Sequence, residues 1–453
     1  MRKLIRGQPI SCLDSVCWRL AKGIAAGAQY RQQGHRQRLA SCGFDGFCPE
    51  QVDSHRPPGE KYALGFVLAR SARALGPEGY GAFAGIAGFG SAIGGFTGMG
   101  LGLVMYQEVA RQPSVFGFRW RQTLVVTMVT GSLFALAFVL LGACLLVYRD
   151  LVVMTGIAFS EVVCFPLVTT AAFAFAAHER MGWSAAFPAL LGAFRVLAVL
   201  VFLTLDDTPT LAAYVWFHAG ASALFAGIAL VLVYIALRPG AAPFQLRFSD
   251  LREGLGFSAV WVTGNALASV DKTLVMRLAG NEVAGLYASA YRFATVLALP
   301  MDALVMAAMP RLFRDGGGVQ SNPALVPRMA LVTLGYGLCA GGGLWVLADL
   351  LPWLLGEGFA GGVHAVRMMA LFLPCYGLRV LAGNLLMARG CKTQRVLIEW
   401  AGLGFLVTFG YWRIPTHGLD GALMTIISAE LALAVTGWYV LFFGSRGPAL
   451  ASH

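Results

Sequence analysis

Long apolar runs alternate with short polar loops along most of this chain. Each run is about as long as the ~20 residues that a helix needs to cross a bilayer. Their continuity favours helices over the alternating strands of a membrane barrel. Eleven runs can be placed, at 81–105, 123–147, 151–177, 183–205, 211–237, 257–278, 283–309, 330–355, 363–388, 396–412 and 421–443. We therefore predict an all-α polytopic membrane protein with eleven clear transmembrane helices.

The loops between the runs alternate in charge. Loops after odd-numbered runs, together with the C-terminal tail, hold fourteen Lys and Arg residues, whereas the other loops hold two, Arg149 and Arg413. Cytoplasmic loops retain Lys and Arg, so the pattern orients every span at once. It predicts a multi-pass protein whose C-terminus lies in the cytoplasm.

Composition supports this class and changes the interpretation of the net charge. A hydrophobic fraction of 57% with only 13% charged residues lies outside the usual composition of soluble globular proteins. The net charge of +11 would fit a nucleic-acid-binding protein. The loop arginines account for that excess through topology, and we predict no nucleic-acid partner.

The first 61 residues differ from the rest of the chain. They hold ten Lys and Arg, five Asp and Glu, and no apolar run of spanning length. The segment lacks the apolar core and cleavage site of a secretory signal. Four cysteines lie there, but their spacing is not that of a zinc knuckle, so we predict no metal and no cofactor. They are Cys12, Cys17, Cys42 and Cys48.

An internal repeat indicates a missing helix. The segment 76–83 recurs at 280–287 as a G-x-E-x-x-G turn that leads into a run. Tandem halves are common in secondary transporters. The run 257–278 then requires a counterpart near 53–74, where the sequence is too polar to span. We predict two six-helix lobes with the first helix degenerate or missing. The divisions are an atypical segment 1–61, lobes 62–240 and 241–446, and a cytoplasmic tail 447–453.

The polar start of the chain has two interpretations. Residues from about 29 to about 61 could be an out-of-frame translation of a GC-rich gene, since the repeat and the charge rule both require one more crossing. Alternatively, they are a genuine cytoplasmic extension before a degenerate first helix. An apolar run of about 20 residues in another frame of the DNA would support the first interpretation, and polar sequence or stop codons in both would contradict it.

Four segments resemble the oligosaccharide flippases of the multidrug/oligosaccharidyl-lipid/polysaccharide exporter superfamily. They are 69–81 (ARSARALGPEGYG), 269–311, 355–360 with 386–390, and 418–422 (GLDGA). The resemblance covers roughly 70–445 and departs before residue 62, where family members carry an ordinary first helix. It implies two six-helix lobes around a cavity that opens alternately to each side. It also implies a bacterial inner-membrane protein that moves polyprenyl-diphosphate-linked oligosaccharide for surface polysaccharide, such as lipopolysaccharide or exopolysaccharide.

Charged residues within the runs are the candidate site. A charge at mid-depth costs about 2.5–3.5 kcal/mol on insertion scales, so it persists where it pairs or faces water. Arg195, Arg292, Arg379 and Lys272 could bind a diphosphate, for which arginine has a suitable bidentate geometry. The alternative is that these cations are paired structurally or extend to the membrane surface.

Acidic residues lie within the same set of runs. Glu161, Asp271, Asp302 and Glu399 could be counter-ions to the cations, which we favour, or sites that couple transport to protons or sodium. His218 is a lone histidine in its run and is more simply a packing residue.

The first run also carries a ridge of glycines at every fourth position. Gly90, Gly94, Gly98 and Gly102 favour close contact with another helix, and a flexible, bending helix is the alternative.

Missing features narrow the function further. The chain has no phosphate-binding loop for ATP and only short external loops, so we predict a transporter and not an enzyme. The alternatives are a drug/cation antiporter of the same superfamily and a membrane polymerase or ligase of lipid-linked glycan. Expected partners are the polyprenyl-diphosphate-linked oligosaccharide, membrane lipids and glycan polymerase machinery.

Overall fold

Helices make up the computed structural model, which describes residues 59–146, 150–205, 210–241, 243–314 and 325–443. The predictions for the first 58 residues, including the reading-frame hypothesis, lie outside these ranges. No β-strand occurs within them. The helices are α1 Gly59–Gly94, α2 Leu101–Arg111, α3 Phe116–Leu145, α4 Leu151–Ile157, α5 Phe165–Ala177, α6 Met181–Leu205, α7 Leu211–Leu237, α8 Phe248–Leu267, α9 Val270–Ala279, α10 Asn281–Arg314, α11 Leu325–Leu347, α12 Leu351–Leu355, α13 Gly362–Met369, α14 Phe372–Ala388 and α15 Lys392–Phe443. A π-helix, Ala158–Cys164, joins α4 to α5.

All eleven predicted runs lie on these helices. Among the described residues, six helices are long and apolar enough to cross a membrane, or up to eight spans if two bent helix pairs count as one each. The last two predicted runs are joined in α15, which kinks at Gly418. The runs 257–278 and 283–309 fall outside the eight. They carry more polar residues, among them Asp271, Lys272, Arg292 and Asp302.

The chain is helical at the position where the repeat predicts one more helix in the first half. Helix α1 begins at Gly59 and continues through a non-helical Gly76. The 59–75 part is about 26 Å long at 1.5 Å per residue, which is shorter than the ~30 Å hydrocarbon core of a bilayer. This short segment fits the prediction of a degenerate first helix.

The two copies of the repeat have the same backbone geometry. Gly76 has φ 66° and ψ 174°, and Gly280 has φ 91° and ψ 172°. A side chain is strained at such positive φ values, which explains glycine at both sites. The shared G-x-E-x-x-G turn is therefore a structural repeat as well as a sequence repeat.

The two copies of the G-x-E-x-x-G turn also contact each other. A Cβ at Gly81 would lie 1.8 Å from the backbone oxygen of Asn281, and a Cβ at Gly285 would lie 1.9 Å from the backbone oxygen of Pro77. Because Pro77 corresponds to Asn281 in the repeat, the contact is reciprocal. It joins α1 to α10, and thus the first half of the chain to the second, at the end predicted to be external.

The glycine ridge of the first run makes the close contacts expected of it. A Cβ at Gly94 would lie 2.7 Å from the backbone oxygen of Glu161, and one at Gly102 would lie 2.8 Å from the ring of Phe173. The helix also breaks between α1 and α2, where Gly98, Met99 and Gly100 all have positive φ. The two parts are bent by 46°. The contacts support the close-contact interpretation of the ridge, and bending of this helix during transport stays a prediction.

Burial separates outer from inner helices. In the most apolar window of 151–177, 67% of residues are buried, against 22% in that of 113–144. Large apolar side chains of α3 and α6 remain exposed, including Leu133, Leu140 and Leu197. Exposed apolar surfaces of this extent are typical of helices that face lipid. The segment 151–177 is instead buried within the first half, and it carries Glu161.

Candidate functional site

A buried carboxylate organises the first half of the molecule. Glu161 lies on the π-helix, a local widening that is frequent at functional sites. Its Oε1 atom lies 2.8 Å from Arg195 Nη2 on α6 and 3.2 Å from His218 Nε2 on α7. The Ser160 hydroxyl donates to the same oxygen. Arg195 also donates to the hydroxyls of Ser160 and Ser222. The predicted acid Glu161 and the predicted cation Arg195 therefore form one ion pair.

A second pair lies at the start of α9. Lys272 Nζ is 3.0 Å from Asp271 Oδ1, and the hydroxyl of Tyr287 donates to Asp271 Oδ2 at 2.7 Å. The ammonium group also lies 3.6 Å from the centre of the Tyr291 ring. A cation over an aromatic face in a desolvated position is stabilised by about 2 kcal/mol. Both predicted residues are thus held in one cluster by the neighbouring helix α10.

Two other predicted residues of the second half share a partner, because the Arg379 guanidinium lies 5.1 Å from the centre of the Tyr376 ring, whose hydroxyl bonds to Asp302. Arg379 Nε donates to Glu430, an acid on α15. Asp302 accepts hydrogen bonds from the hydroxyl of Tyr376, at 3.2 Å to each oxygen. Glu399 pairs with Arg395 one helical turn away. The structure therefore does not bring the eight predicted site residues into one cluster.

Arg292 differs from the other predicted cations. It lies on α10 seven residues after Gly285, and so on the face that contacts the first half of the chain. The guanidinium lies beside Tyr80 and near Tyr214, and both tyrosines belong to the first half. Its side chain is accessible to solvent. No carboxylate within the described ranges lies within ion-pair distance of it.

The charge balance of the site follows from these contacts. Of the four predicted cations, three are bonded to carboxylates and Arg292 is not, as far as the described residues show. Each predicted acid is bonded to a cation or a tyrosine. A ligand that reaches the space between the halves would meet an uncompensated positive charge there.

One charged cluster was not expected from the sequence. Arg119 on α3 pairs with Glu108 and, at 2.7 Å, with Asp250 on α8. The Gln122 amide also donates to Asp250. Arg119 looked like a loop residue that sets topology, and nothing in its local sequence identifies partners 131 positions away. The ion pair joins the two halves at the end predicted to be cytoplasmic.

This ion pair remains charged near neutral pH. Burial alone would raise the pKa of Asp250, but the hydrogen bonds from Arg119 and Gln122 outweigh it and hold that pKa below its ordinary value. Only strong acid would therefore protonate the carboxylate and open this connection.

No metal site is found in the part of the chain that the structure describes. None of its His, Cys, Asp and Glu residues form a group of three that could hold a metal ion. The four N-terminal cysteines lie outside the described ranges.

Comparison with known proteins agrees with this architecture. The family profile described as "Polysaccharide biosynthesis protein" matches residues 61–314. No curated protein sequence matches the chain.

Solved structures show the same fold. An inward-facing multidrug resistance MATE family transporter of the MOP superfamily superposes with a TM-score of 0.62 at 16% identity, over 83% of this chain and 92% of that one. An outward-facing structure of such a transporter gives 0.54 at 14% identity, with the same coverage. A MOP superfamily transporter from Pyrococcus furiosus, titled for the reverse polarity of its binding pocket, gives 0.54 at 14% identity, over 83% and 90%.

Proposed function

Because the chain belongs to the polysaccharide biosynthesis protein family, whose profile matches more than half of its residues, we propose that it flips a polyprenyl-diphosphate-linked oligosaccharide across the bacterial inner membrane. The chain is a membrane transporter of the MOP superfamily fold. The proposed product serves surface polysaccharide synthesis. The charge of the site supports this choice of substrate.

Arg292 carries this proposal. A diphosphate brings negative charge into the membrane interior and needs a cation that is not already neutralised. Arg292 lies between the halves, is accessible, and lies beside tyrosines in place of a carboxylate. In a low-dielectric space its attraction to a diphosphate is several times stronger than in water.

The same charge balance disfavours a drug/cation antiporter. A cationic drug needs an available carboxylate, but Glu161, Asp271 and Glu430 are each bonded to a cation. Asp302 is bonded to the Tyr376 hydroxyl and not to a cation, so it is the one predicted acid at which a cationic drug could bind without opening an ion pair. A membrane polymerase or ligase is disfavoured by the short connections on the predicted external side, where Gly280 alone separates α9 from α10.

Alternating access follows from how the halves contact each other. The Gly81–Gly285 contact closes one end of the interface with backbone atoms, which can separate without breaking a charged pair. Arg292 lies about 10 Å deeper on the same helix face, at 1.5 Å per residue. Separation of the halves at this end would expose Arg292, and hence a bound diphosphate, to the external side.

Replacement of Arg292 tests the function. We expect Arg292→Gln to abolish export of surface glycan without lowering the amount of protein in the membrane, and Arg292→Lys to retain part of it. The matched control is Arg413→Gln, a half-buried arginine outside the interface whose guanidinium contacts Met424 and Trp412. Undiminished glycan export by Arg292→Gln would contradict the proposal. Export of a cationic dye that needs Glu161 but not Arg292 would favour the antiporter.

A further inference from the structure

The connection between the two halves of the chain carries exposed apolar side chains. It runs over residues 238–253, from the end of α7 into the second turn of α8, and we call it the linker. Phe244, Leu246 and Phe248 occupy alternate positions of it and are 43%, 44% and 83% exposed. Large apolar side chains grouped in this way on a surface connection mark a site of interaction.

The same linker carries three exposed arginines without a carboxylate partner. Arg238, Arg247 and Arg252 form no ion pair within the described ranges. Of the two acids in the linker, Asp250 is buried and bonded to Arg119, and Glu253 is exposed. The exposed side chains of the linker are therefore predominantly apolar and positively charged.

Neighbouring aromatic residues place the linker at the depth of the lipid headgroups. The rings of Trp120 on α3 and Tyr234 on α7 lie 6.1 Å apart, and half of the Tyr234 surface is exposed. Trp and Tyr concentrate at the boundary between membrane and water. A Cβ at Gly117 would lie 2.5 Å from the backbone oxygen of Gly240. The linker therefore begins about 4.5 Å beyond Trp120 toward the predicted cytoplasmic end, within a headgroup layer about 5–7 Å thick.

Apolar and basic side chains at this depth match an anionic lipid surface. Segments that lie on a membrane insert apolar side chains at the boundary of the acyl chains, and their arginines extend to the phosphates. Anionic lipids of the cytoplasmic leaflet attract each arginine near the surface. The charge rule for topology accounts for the arginines of a cytoplasmic loop, but it does not account for the three apolar side chains among them.

We propose that the linker binds anionic phospholipids of the cytoplasmic leaflet, with Phe244 and Phe248 among the acyl chains and Arg247 and Arg252 on the phosphates. These are lipids of the surrounding membrane and not the transported one, so the inference does not rest on the proposed function.

The bound lipid also acts on the connection between the halves. The backbone N–H of Asp250 donates to the backbone oxygen of Arg247 at 3.1 Å, so the lipid-binding residues and Asp250 lie in the same first turn of α8. Asp250 in turn holds the ion pair with Arg119. Anionic lipid therefore anchors the end of α8 that joins the two halves.

A spin label at position 248 tests the insertion. The full-length chain, without its native cysteines and with Phe248→Cys carrying the label, is reconstituted into phosphatidylcholine with or without phosphatidylglycerol. Oxygen concentrates in the bilayer and a nickel chelate stays in water, so the ratio of their collision rates with the label measures its depth. We expect oxygen collisions to dominate and the label to lie deeper when phosphatidylglycerol is present. Labels at Leu133 and Glu357 give the lipid and water references, because Leu133 is an exposed apolar residue of α3 and Glu357 lies in a predicted external loop.

Two pairs of substitutions separate this surface from general positive charge. Arg247→Gln with Arg252→Gln should weaken phosphatidylglycerol binding about 5-fold for each arginine and remove the deepening of the label. The matched control is Arg111→Gln with Arg328→Gln, which removes two exposed arginines from other loops on the predicted cytoplasmic side. Native mass spectrometry in detergent measures the binding relative to phosphatidylcholine. If the variant of Arg247 and Arg252 melts early, Arg252→Gln alone must weaken the binding.

Three results would overturn the lipid surface. The first is nickel-dominated collisions at position 248 in both membranes, which would place the linker in water. The second is protection of the label from both reagents, which would indicate a protein contact in place of lipid. The third is equal loss of phosphatidylglycerol binding in the two double variants. Each would leave the proposed transport function standing, because Arg292 lies outside the linker.

Discussion

The carboxylate of Glu161 interacts with three side chains through one oxygen atom. Its Oε1 oxygen lies within bonding distance of Arg195, His218 and Ser160. An ion pair of this kind is neutral as a unit and can persist in the interior, whereas either charge alone is costly there. The geometry fits a counter-ion. Glu161 also lines a cavity of about 280 Å³, a position that would suit a residue that exchanges a proton during transport.

Single and double neutralisation of this pair separates the two roles. We expect Glu161→Gln to destabilise the protein by about 3–5 kcal/mol, because Arg195 is then buried without a carboxylate. The double variant with Arg195→Gln should recover most of that loss and retain transport. Thermal unfolding in detergent measures the stability and glycan export measures the function. Asp349→Asn is the control, since its pair with Arg367 has side chains that are 69% and 39% exposed and its loss should cost about 1 kcal/mol or less. A double variant that folds but transports nothing would favour proton coupling.

Helices α1 and α10 are the elements that join the halves. Their approach depends on glycine at positions 81 and 285, where any side chain would overlap a backbone oxygen of the other helix. The glycines at 76 and 280 serve a different purpose, because they allow the positive φ of the preceding turn. One short motif therefore supplies both the turn and the contact surface. Its occurrence in both copies makes the contact reciprocal.

Alanine at position 81 or 285 should force the halves apart at this end. Overpacking of this kind costs about 1–3 kcal/mol, enough to shift the population away from the closed contact. The measurement is labelling of a single cysteine at Phe83, about half a turn deeper than the contact, with an impermeant thiol reagent in intact cells. Labelling should become faster in Gly285→Ala and stay unchanged in Gly227→Ala, where a Cβ meets nothing within 4 Å. Unchanged labelling in Gly285→Ala would show that this contact does not close the external end.

The whole molecule is held together differently at its two ends. Backbone contacts of small residues close the end predicted to be external, and a buried ion pair between Arg119 and Asp250 closes the opposite end. A reciprocal glycine contact also lies near that pair, since a Cβ at Gly254 would lie 2.3 Å from the backbone oxygen of Met99. Alternating access requires these connections to open in turn. Orientation in the membrane decides which end takes up substrate.

Orientation can be measured on cysteine variants in a background without the native cysteines. Cysteines at Glu282 and Glu357 should react with an impermeant thiol reagent from outside intact cells, because their loops hold no Lys or Arg. A cysteine at Arg247 should react only after the membrane is made permeable. Labelling of position 247 in intact cells would reverse the topology and the direction of transport inferred from it.

The order of apolar runs and loop charges was enough to establish helices, the repeat and the class of protein. These features are local or periodic, and the bilayer enforces them segment by segment, because every backbone polar group in lipid must be satisfied within its own helix. The glycines of the repeated turn were also identified from sequence, since the φ angles at Gly76 and Gly280 admit few other residues. The resemblance added the expected fold, which the comparisons with MOP superfamily structures confirm.

The pairing of charges depended on the packing of helices that are distant in sequence. Arg195, Arg292 and Arg379 look alike as isolated cations within apolar runs, but one is bonded to Glu161, one is bonded to Glu430 and one lies beside tyrosines. Sequence spacing predicts which residues share a face of one helix, whereas partners on other helices follow from how those helices cross. Arg292 is the candidate diphosphate ligand because, in the folded chain, its neighbours are tyrosines and not a carboxylate.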